Sequence, residues 1–247
     1  VAFSVPGVRA ALSDLGRGVS PFEPSAWLRI GADDTVLVIV DEMEMGQGVL
    51  TALPMLIAEE LAVPWDRVRV QHGPRDPSAW PRPILTGGST SVRGGWETIR
   101  MAGATAREML KSAAAAEWEV PASALTAREG QVVHDGGRSA TYGRLVEAAS
   151  RLSPPDPGSI TLKGPEAFRL LGTPLPRKDT AGKVDGAQVY SMDVRRPGML
   201  YAVVARPPVL GGSLVRYDDA AARDVRGVRA VVGAGMRGQP GIAAQVF

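Results

Sequence analysis

The chain has 247 residues, with 28 Lys and Arg against 26 Asp and Glu, which leaves a net charge of +2. So small a charge excludes recognition of nucleic acid through a strong positive field. There is no cysteine and there are only two histidines, so disulfides, a cysteine nucleophile and iron–sulfur clusters bound by this chain are excluded, and a multi-histidine metal site is disfavoured. No apolar run approaches the roughly 20 residues that cross a bilayer. The 29 glycines and 20 prolines predict many turns.

The first predicted elements form a strand–helix–strand unit. Residues 27–30 alternate in polarity and residues 35–40 are rich in β-branched side chains, which predicts a hairpin whose second strand is buried on both faces. A helix is predicted over residues 50–61, with Pro54 in its first turn, where a missing N–H group is tolerated. Residues 67–70 alternate again and predict the next strand.

Carboxylates are frequent in and before this helix. Leu53, Ile57 and Leu61 recur at helical spacing and mark the face toward the core, so Glu59 and Glu60 are expected on the solvated face. Glu42 and Glu44 alternate with methionines and are expected to be polar residues at a strand end. Acid–base chemistry is the alternative interpretation for these four side chains.

A long connection rich in Pro, Gly, Ser and Thr spans residues 72–95 and precedes a second predicted helix. Connections of this length in compact domains are commonly functional or disordered. The apolar face of the helix is marked by Trp96, Ile99, Ala106 and Leu110, and its polar face by Glu97, Arg100, Glu108 and Lys111. Gly103 falls on the apolar face, which indicates close packing against a neighbouring element.

The remaining elements are shorter. A small hairpin is predicted over residues 131–141 and a helix over residues 142–151. The Pro-rich stretch 153–158 breaks the pattern and is the best candidate for a domain boundary. Beyond it the sequence predicts strands at 200–205 and 228–232, separated by a short helix at 218–225.

Two polar loops lead directly into helices. Residues 42–48 place Gly46, Gln47 and Gly48 between a buried strand and a helix start, where glycine lets a ligand approach the backbone and free N–H groups favour an anion. Residues 86–95 place hydroxyls, glycines and one arginine before the next helix. A tight turn is the alternative for the first loop and a flexible polar loop for the second. Together, the two loops favour binding of a phosphate or a cofactor.

Common nucleotide motifs do not explain the chain. The P-loop pattern is absent from the sequence. Residues 233–238 spell G-x-G-x-x-G after an apolar run. Pro240 and the last residue, Phe247, leave no room for the helix, the second strand and the acidic residue about 20 positions on that a dinucleotide-binding unit needs, so this interpretation is rejected. His72 follows a strand with no partner triad in view, and an ordinary hydrogen-bonded loop histidine is the simpler interpretation.

In series, these segments resemble one family, the molybdopterin-binding (beta) subunit of isoquinoline 1-oxidoreductase, within the xanthine dehydrogenase and aldehyde oxidase superfamily. The resemblance runs from about residue 22 to residue 232 and is carried by residues 22–30, 44–49, 53–56, 58–61, 86–93, 104–110, 142–143, 177–179, 183–186, 193, 197–202, 206–208 and 227–228. It implies a mixed α/β (α+β) fold, with a cofactor-binding segment at 22–152, a linker at 153–169 and a hammerhead-like domain, incomplete here, at 170–247.

The resemblance also implies a cofactor and the residues that hold it. Members of the family bind molybdopterin with its molybdenum, in some cases as the cytosine dinucleotide. Carried over to this sequence, one clamp comprises Gly46, Gln47 and Gly48, and the other comprises Thr86, Gly88, Ser89, Thr90 and Ser91. The resemblance implies no catalytic residue and no protein ligand to the metal in this chain.

The implied chemistry is hydroxylation of an electron-poor carbon in an N-heterocycle or aldehyde, with water as the oxygen source. Electrons then leave through iron–sulfur clusters on a separate small subunit. Family members are much longer and carry their glutamate base in a later region, so this chain is expected to be the N-terminal part of the large subunit and to need the remainder for turnover. The alternative is a truncated or split-gene module that binds without catalysing. The compartment, cytoplasmic or periplasmic, is open, since Val1 is compatible with a removed leader.

Overall fold

The computed structural model describes residues 21–74, 86–206, 208–209, 212, 214–234 and 242–246. The chain divides into two compact units, residues 1–187 and residues 188–247. Helices and strands occur in both units, which confirms the predicted mixed α/β class. Residues 153–169, predicted as a linker, lie within the first unit, where Ile160 is buried. The assignment of a cofactor-binding segment and a hammerhead-like domain stays a prediction.

The first unit is built on a four-stranded sheet with the order β1-β2-β3-β4. Its strands are β1 (Phe22–Ser25), β2 (Leu28–Ile30), β3 (Val36–Val40) and β4 (Val68–His72). β2 and β3 form the predicted antiparallel hairpin, whereas β3 and β4 are parallel. Because helix α1 (Val49–Leu61) connects the parallel pair, the predicted strand–helix–strand unit is confirmed.

Helix α1 packs its predicted apolar face into the core. Leu53, Ile57 and Leu61 are all buried. The prediction for Pro54 was wrong: it is the sixth residue of the helix, past the first turn. The carbonyl of Leu50, four residues earlier, therefore receives no backbone N–H from this position.

Helix α2 (Ser91–Trp118) begins earlier and ends later than the periodicity indicated. Its packing against α1 is close at Gly103, where an added Cβ would lie 2.6 Å from the carbonyl oxygen of Ile57. The predicted close approach at this glycine is thus confirmed. Trp96, in contrast, was wrongly placed on the buried face, because 38% of it is exposed.

Three charged residues that were predicted to face water are buried instead: Glu59, Glu60 and Arg100. The carboxylate of Glu60 lies between the two helices, 2.6 Å from Nη2 of Arg100 and 2.9 Å from Nη1 of Arg107. Both arginines also donate to backbone carbonyls of residues 161–163, at 2.9 and 2.5 Å. Residues 161–163 therefore cover these ion pairs. The helical period of α1 shows which face meets the core, but it cannot show that a later segment covers another face.

Glu59 binds the same later segment. One of its carboxylate oxygens accepts the consecutive N–H groups of residues 169–171 at 2.8, 2.7 and 3.2 Å, and the other lies 3.0 Å from Nζ of Lys163. Burial acts to raise the pKa of Glu59, but the N–H groups of Leu170 and Arg169 and the ammonium of Lys163 outweigh it and lower that pKa. The two glutamates thus hold residues 160–171 against α1 and α2.

A small antiparallel sheet, β5-β6-β7, completes the first unit with two helices. Its strands are β5 (Leu125–Arg128), β6 (Gln131–His134) and β7 (Ser139–Thr141), followed by α3 (Tyr142–Ser150) and α4 (Thr180–Val184). The predicted hairpin at 131–141 and helix at 142–151 are confirmed. The hydroxyl of Tyr142 donates to the carbonyl of Leu61 at 2.5 Å, and burial raises its pKa. Turns of 3₁₀ helix lie at Trp65–Arg67, Ala122–Ala124, Pro157–Ser159 and Pro165–Ala167.

The second unit contains an antiparallel sheet with the order β8-β10-β9. Its elements are a 3₁₀ turn (Ser191–Asp193), β8 (Ala202–Ala205), α5 (Ala220–Arg223), β9 (Ala230–Ala234) and β10 (Ile242–Val246). The two predicted strands and the helix between them are present. β9 and β10 pair antiparallel, unlike the parallel pair of a dinucleotide-binding unit. Residues 235–240, which include most of the G-x-G-x-x-G match, lie outside the described residues.

Candidate functional site

The two predicted clamps meet at one place in the first unit. The first loop, defined as residues 41–48, follows β3 and leads into α1, and the second loop, residues 86–90, leads into α2. Thr86 joins them: its hydroxyl accepts the N–H of Met43 at 2.8 Å and donates to Glu42 Oε2 at 2.6 Å. The structure therefore brings together two loops that are 38 residues apart in the sequence. Thr86 acts as the bridge between them.

Glycine is required twice in the first loop. Gly46 and Gly48 have φ angles of 111° and 91°, in the region that side chains with a Cβ rarely adopt. Gly48 is also the N-cap of α1. An added Cβ at Gly46 would meet no described atom within 4 Å, so this side of the loop is open to a ligand.

Gln47 braces the first loop from within. Its Oε1 accepts the N–H of Met45 at 2.6 Å, and its Nε2 donates to the carbonyl of Met43 at 2.7 Å. Both ends of the amide are thus engaged in the loop itself. The side chain of Gln47 therefore holds the loop backbone in place. To contact a ligand as well, Gln47 would use the second lone pair of Oε1 or the second N–H of Nε2.

Glu44 occupies the N-terminus of α1. Its carboxylate accepts the N–H groups of Gly46 and Gly48 at 2.8 and 3.0 Å and that of Leu50 at 3.1 Å. Burial acts to raise the pKa of Glu44, but these three backbone donors outweigh it and hold that pKa below its ordinary value. The positive end of this helix is therefore already satisfied by an internal anion.

The second loop leaves its helix open. Within the described residues no side chain caps α2, since the hydroxyl of its N-cap residue, Thr90, donates to the carbonyl of Gly87 at 2.9 Å instead. Gly88 and Ser89 are both left-handed, with φ of 62° and 54°, and a serine in this region carries strain of about 1 kcal/mol. Residues 87–90 are exposed, and Ser91 is the first residue of the helix. Free N–H groups and hydroxyls at this end suit an anion.

Two functional candidates were missed by sequence reasoning. Glu44 was expected to be a polar strand-end residue, and it lies five residues before the start of α1, outside the N-cap position at which a capping residue is recognised. Arg177 donates to the carbonyl of Gly46 at 3.0 Å across 131 residues of sequence. No local pattern could have indicated so distant a contact.

The other candidates contribute less to this site. His72 is the last residue of β4 and is exposed. Within the described ranges, no cluster of three or more His, Asp and Glu side chains could hold a metal ion. In the same part of the chain, no helix has the length and apolar character that crossing a membrane requires. The chemistry of the site therefore rests on backbone N–H groups, hydroxyls and internally bound carboxylates.

The chain is similar to parts of several longer curated oxidoreductases. It is 36% identical over 270 residues to the beta subunit of isoquinoline 1-oxidoreductase from Brevundimonas diminuta, covering 94% of this chain and 35% of that protein. It is 33% identical to the membrane-bound aldehyde dehydrogenase (pyrroloquinoline-quinone) of Gluconacetobacter polyoxogenes, over 85% of this chain and 27% of that protein. A nicotinate dehydrogenase subunit of Pseudomonas putida is 30% identical, over 88% of this chain and 19% of that protein. The chain thus spans about a third or less of the length of these relatives.

Solved structures give a weaker likeness. The crystal structure of quinoline 2-oxidoreductase from Pseudomonas putida 86 matches with a TM-score of 0.41 and 24% identity, over 49% of this chain and 15% of that one. The Cu,Mo-CO dehydrogenase matches with a TM-score of 0.41 and 23% identity, over 48% and 15% of the two chains.

The family model described as the molybdopterin cofactor-binding domain matches residues 5–195. This match covers more than three quarters of the chain and includes both loops. It confirms the resemblance seen in the sequence. The chain belongs to the molybdopterin cofactor-binding domain family.

Proposed function

We propose that the chain is the molybdopterin-binding part of the large subunit of a molybdenum hydroxylase. The proposed substrates are N-heterocycles or aldehydes, the classes named in the three curated relatives. The proposed partners are the remainder of the large subunit and a small iron–sulfur subunit, which would take the electrons because this chain has no cysteine to bind a cluster. The single observation that carries the proposal is the meeting of the two loops through Thr86.

The donor set fits the cofactor. Molybdopterin carries a phosphate ester and a pterin ring with several polar edge atoms, and its cytosine dinucleotide form adds a second phosphate. The open N-terminus of α2, with the hydroxyls of Ser89 and Ser91, offers donors suited to a phosphate. Gly46 and Gly88 let the backbone approach a flat ring closely.

Each remaining predicted clamp residue has a defined part in this proposal. Thr86 holds the two loops together, Gln47 braces the first loop, and Gly48 lets the chain turn into α1. Thr90 closes the turn that precedes α2. Preorganised donors lower the cost of ordering the loops when a ligand binds.

When bound, the cofactor would supply oxygen transfer to an electron-poor carbon and take up two electrons. The chain's own residues bind and orient it, and we assign no general base to them. The side chains of Glu44, Glu59 and Glu60 are at most 6% exposed and accept hydrogen bonds from within the chain. A base that works near neutral pH needs a raised pKa, whereas the pKa values of Glu44 and Glu59 are lowered.

The test is to purify the chain from a host that makes molybdopterin and to measure its molybdenum and pterin content after gel filtration. We expect molybdenum to co-elute with the folded chain. A folded chain without molybdenum or pterin would contradict the proposal and favour the non-catalytic module. Measuring pyrroloquinoline quinone in the same fractions separates the cofactor named for one relative from molybdopterin.

Gln47→Ala is the matched residue test. We expect it to lower the molybdenum content, because the first loop loses both of its amide braces. Gln131→Ala is the control, since Gln131 begins β6 in the separate β5-β6-β7 sheet. Equal molybdenum content in the two variants would refute the role of the first loop.

A further inference from the structure

A later segment of the chain packs against the start of α1 and the loop before it. Residues 176–179, called the strap here, lie against Trp65, whose Nε1 donates to the carbonyl of Pro176 at 3.3 Å. Lys178 also contacts Trp65: its Nζ lies 4.1 Å from the centre of the Trp65 ring and donates to the Trp65 carbonyl at 2.5 Å. The N–H of Lys178 also donates to the hydroxyl of Thr51 in α1 at 3.0 Å. These contacts fix the strap on both sides of its arginine.

Arg177 is the residue of the strap that reaches the first loop. Its Nη1 donates to the carbonyl of Gly46 at 3.0 Å, and its Nη2 donates to Oε1 of Glu44 at 3.2 Å. Glu44 is the carboxylate that binds the N–H groups of the same loop. Arg177 therefore holds both a carbonyl of the loop and the side chain that caps the helix after it.

Asp179 fixes the direction of this arginine. Its two carboxylate oxygens accept Nε and Nη2 of Arg177 at 2.9 and 2.8 Å, the paired geometry that orients a guanidinium most firmly. Lys183 adds a second cation, 2.5 Å from Asp179 and 3.9 Å from Glu44. The side chains of Asp179 and Glu44 are 5% and 6% exposed, so two buried carboxylates are balanced by two cations.

The first loop needs such an external hold. It contains two glycines in left-handed conformations, and glycine has the greatest conformational freedom of any residue in the unfolded or unbound chain. The braces within the loop come from Gln47 and Glu44, and the strap contributes the contacts from a distant part of the sequence. A loop fixed in advance binds its ligand more tightly than one that must be ordered on binding.

We propose that Arg177, oriented by Asp179, is a positioning residue that sets the conformation of the first loop before the cofactor binds. The link to molybdopterin rests on the proposed function, whereas the hold on the loop can be tested without any cofactor. Arg177 touches the loop and Glu44 rather than the reacting atoms, and its effect passes through them.

Hydrogen–deuterium exchange on the cofactor-free 247-residue chain tests the hold directly. We expect Arg177→Ala to speed exchange of the Gly46, Gly48 and Leu50 amides by roughly tenfold, because charged hydrogen bonds are the strong ones. Amides of β5–β7 should exchange as before, which separates a local hold from general destabilisation. Arg177→Lys should restore part of the protection, since a lysine keeps the charge but lacks the paired geometry.

Arg151→Ala is the control, because Arg151 forms an exposed ion pair with Glu147 on another helix. Unchanged exchange at residues 46–50 in Arg177→Ala would overturn the proposal. The molybdenum content of the same variants is then measured after expression with molybdopterin. Faster loop exchange with reduced molybdenum supports both the hold and the proposed function. Faster loop exchange, with no molybdenum in any variant or in the unsubstituted chain, supports the hold and contradicts the function alone.

Discussion

The two helices at the site begin in opposite ways. At the start of α1, the carboxylate of Glu44 accepts hydrogen bonds from three backbone N–H groups. The same carboxylate forms ion pairs with Arg177 and Lys183. The start of α2 has no side-chain cap within the described residues, and its loop is exposed. One helix end is closed by an internal anion, whereas no side chain of the described residues closes the other.

Under the proposed function, this difference gives the two loops different parts in binding the cofactor. An external phosphate at α1 would have to displace a buried carboxylate with three backbone donors, whereas at α2 it would meet free donors. We therefore expect the anionic part of the cofactor at α2 and an uncharged part at the first loop. From sequence spacing alone the two loops were equivalent candidates for an anion.

The largest expected effect comes from the two ion pairs that join α1 to α2. Glu60→Ala leaves Arg100 and Arg107 without their buried carboxylate, which should cost about 3–5 kcal/mol of unfolding free energy. Urea denaturation measures it. Glu147→Ala is the control, because its ion pair with Arg151 is exposed and should change stability by less than about 1 kcal/mol. Equal loss in the two variants would contradict this account of the α1–α2 contact.

Removing the internal anion should have the next largest effect. Glu44→Ala frees the N–H groups of Gly46, Gly48 and Leu50, and the loss of a charged cap should cost about 2 kcal/mol. The same variant should gain affinity for inorganic phosphate, measured by calorimetry, because the start of α1 then resembles the start of α2. If phosphate binds the variant and the unsubstituted chain equally, the comparison between the two helix starts fails.

A smaller effect is expected in the acid range. The guanidinium of Arg177, and after it Lys183, hold the pKa of Asp179 well below its ordinary value. The folded chain therefore binds fewer protons than the unfolded chain below about pH 5, and the stability from Asp179 is lost as the pH falls toward its folded pKa. Thermal melts from pH 7 downward should show a shallower decline for Asp179→Asn. An identical decline would show that Asp179 is not coupled to the fold.

The smallest change in stability is expected from closing the open helix. Thr90→Asp places a carboxylate at the N-cap of α2 and should stabilise the chain by about 0.5–1 kcal/mol. It should also reduce molybdenum content, because the added charge repels the cofactor's phosphate. Thr90→Ser is the control that keeps a hydroxyl. If the molybdenum content of Thr90→Asp equals that of the unsubstituted chain, the cofactor's phosphate does not bind at the start of α2.

Much of the fold could be predicted because its signals are local. The run of β-branched residues at 35–40 and the helical spacing of Leu53, Ile57 and Leu61 predicted β3 and α1, and Gly103 predicted the close contact of the two helices. Glu59 and Glu60 were wrongly predicted to face water, because helical period locates the core face but cannot show that residues 160–171 return to cover the other face. Burial of those charges depends on partners that lie 40 to 112 residues away in the sequence.

The sequence by itself determined most of the helices and strands, the two glycine-containing loops and the family, because each rests on residues close together in the chain. It did not predict β1, β5 or β10. Only the tertiary structure decided that Thr86 bridges the loops, that Glu44 closes one helix while the other stays open, and that Arg177 reaches the first loop. The physical reason is that hydrogen bonds between distant segments are selected by packing and by the need to pair buried charge. Neither packing nor the pairing of buried charge leaves a periodic signal in the sequence of the residues that form these hydrogen bonds.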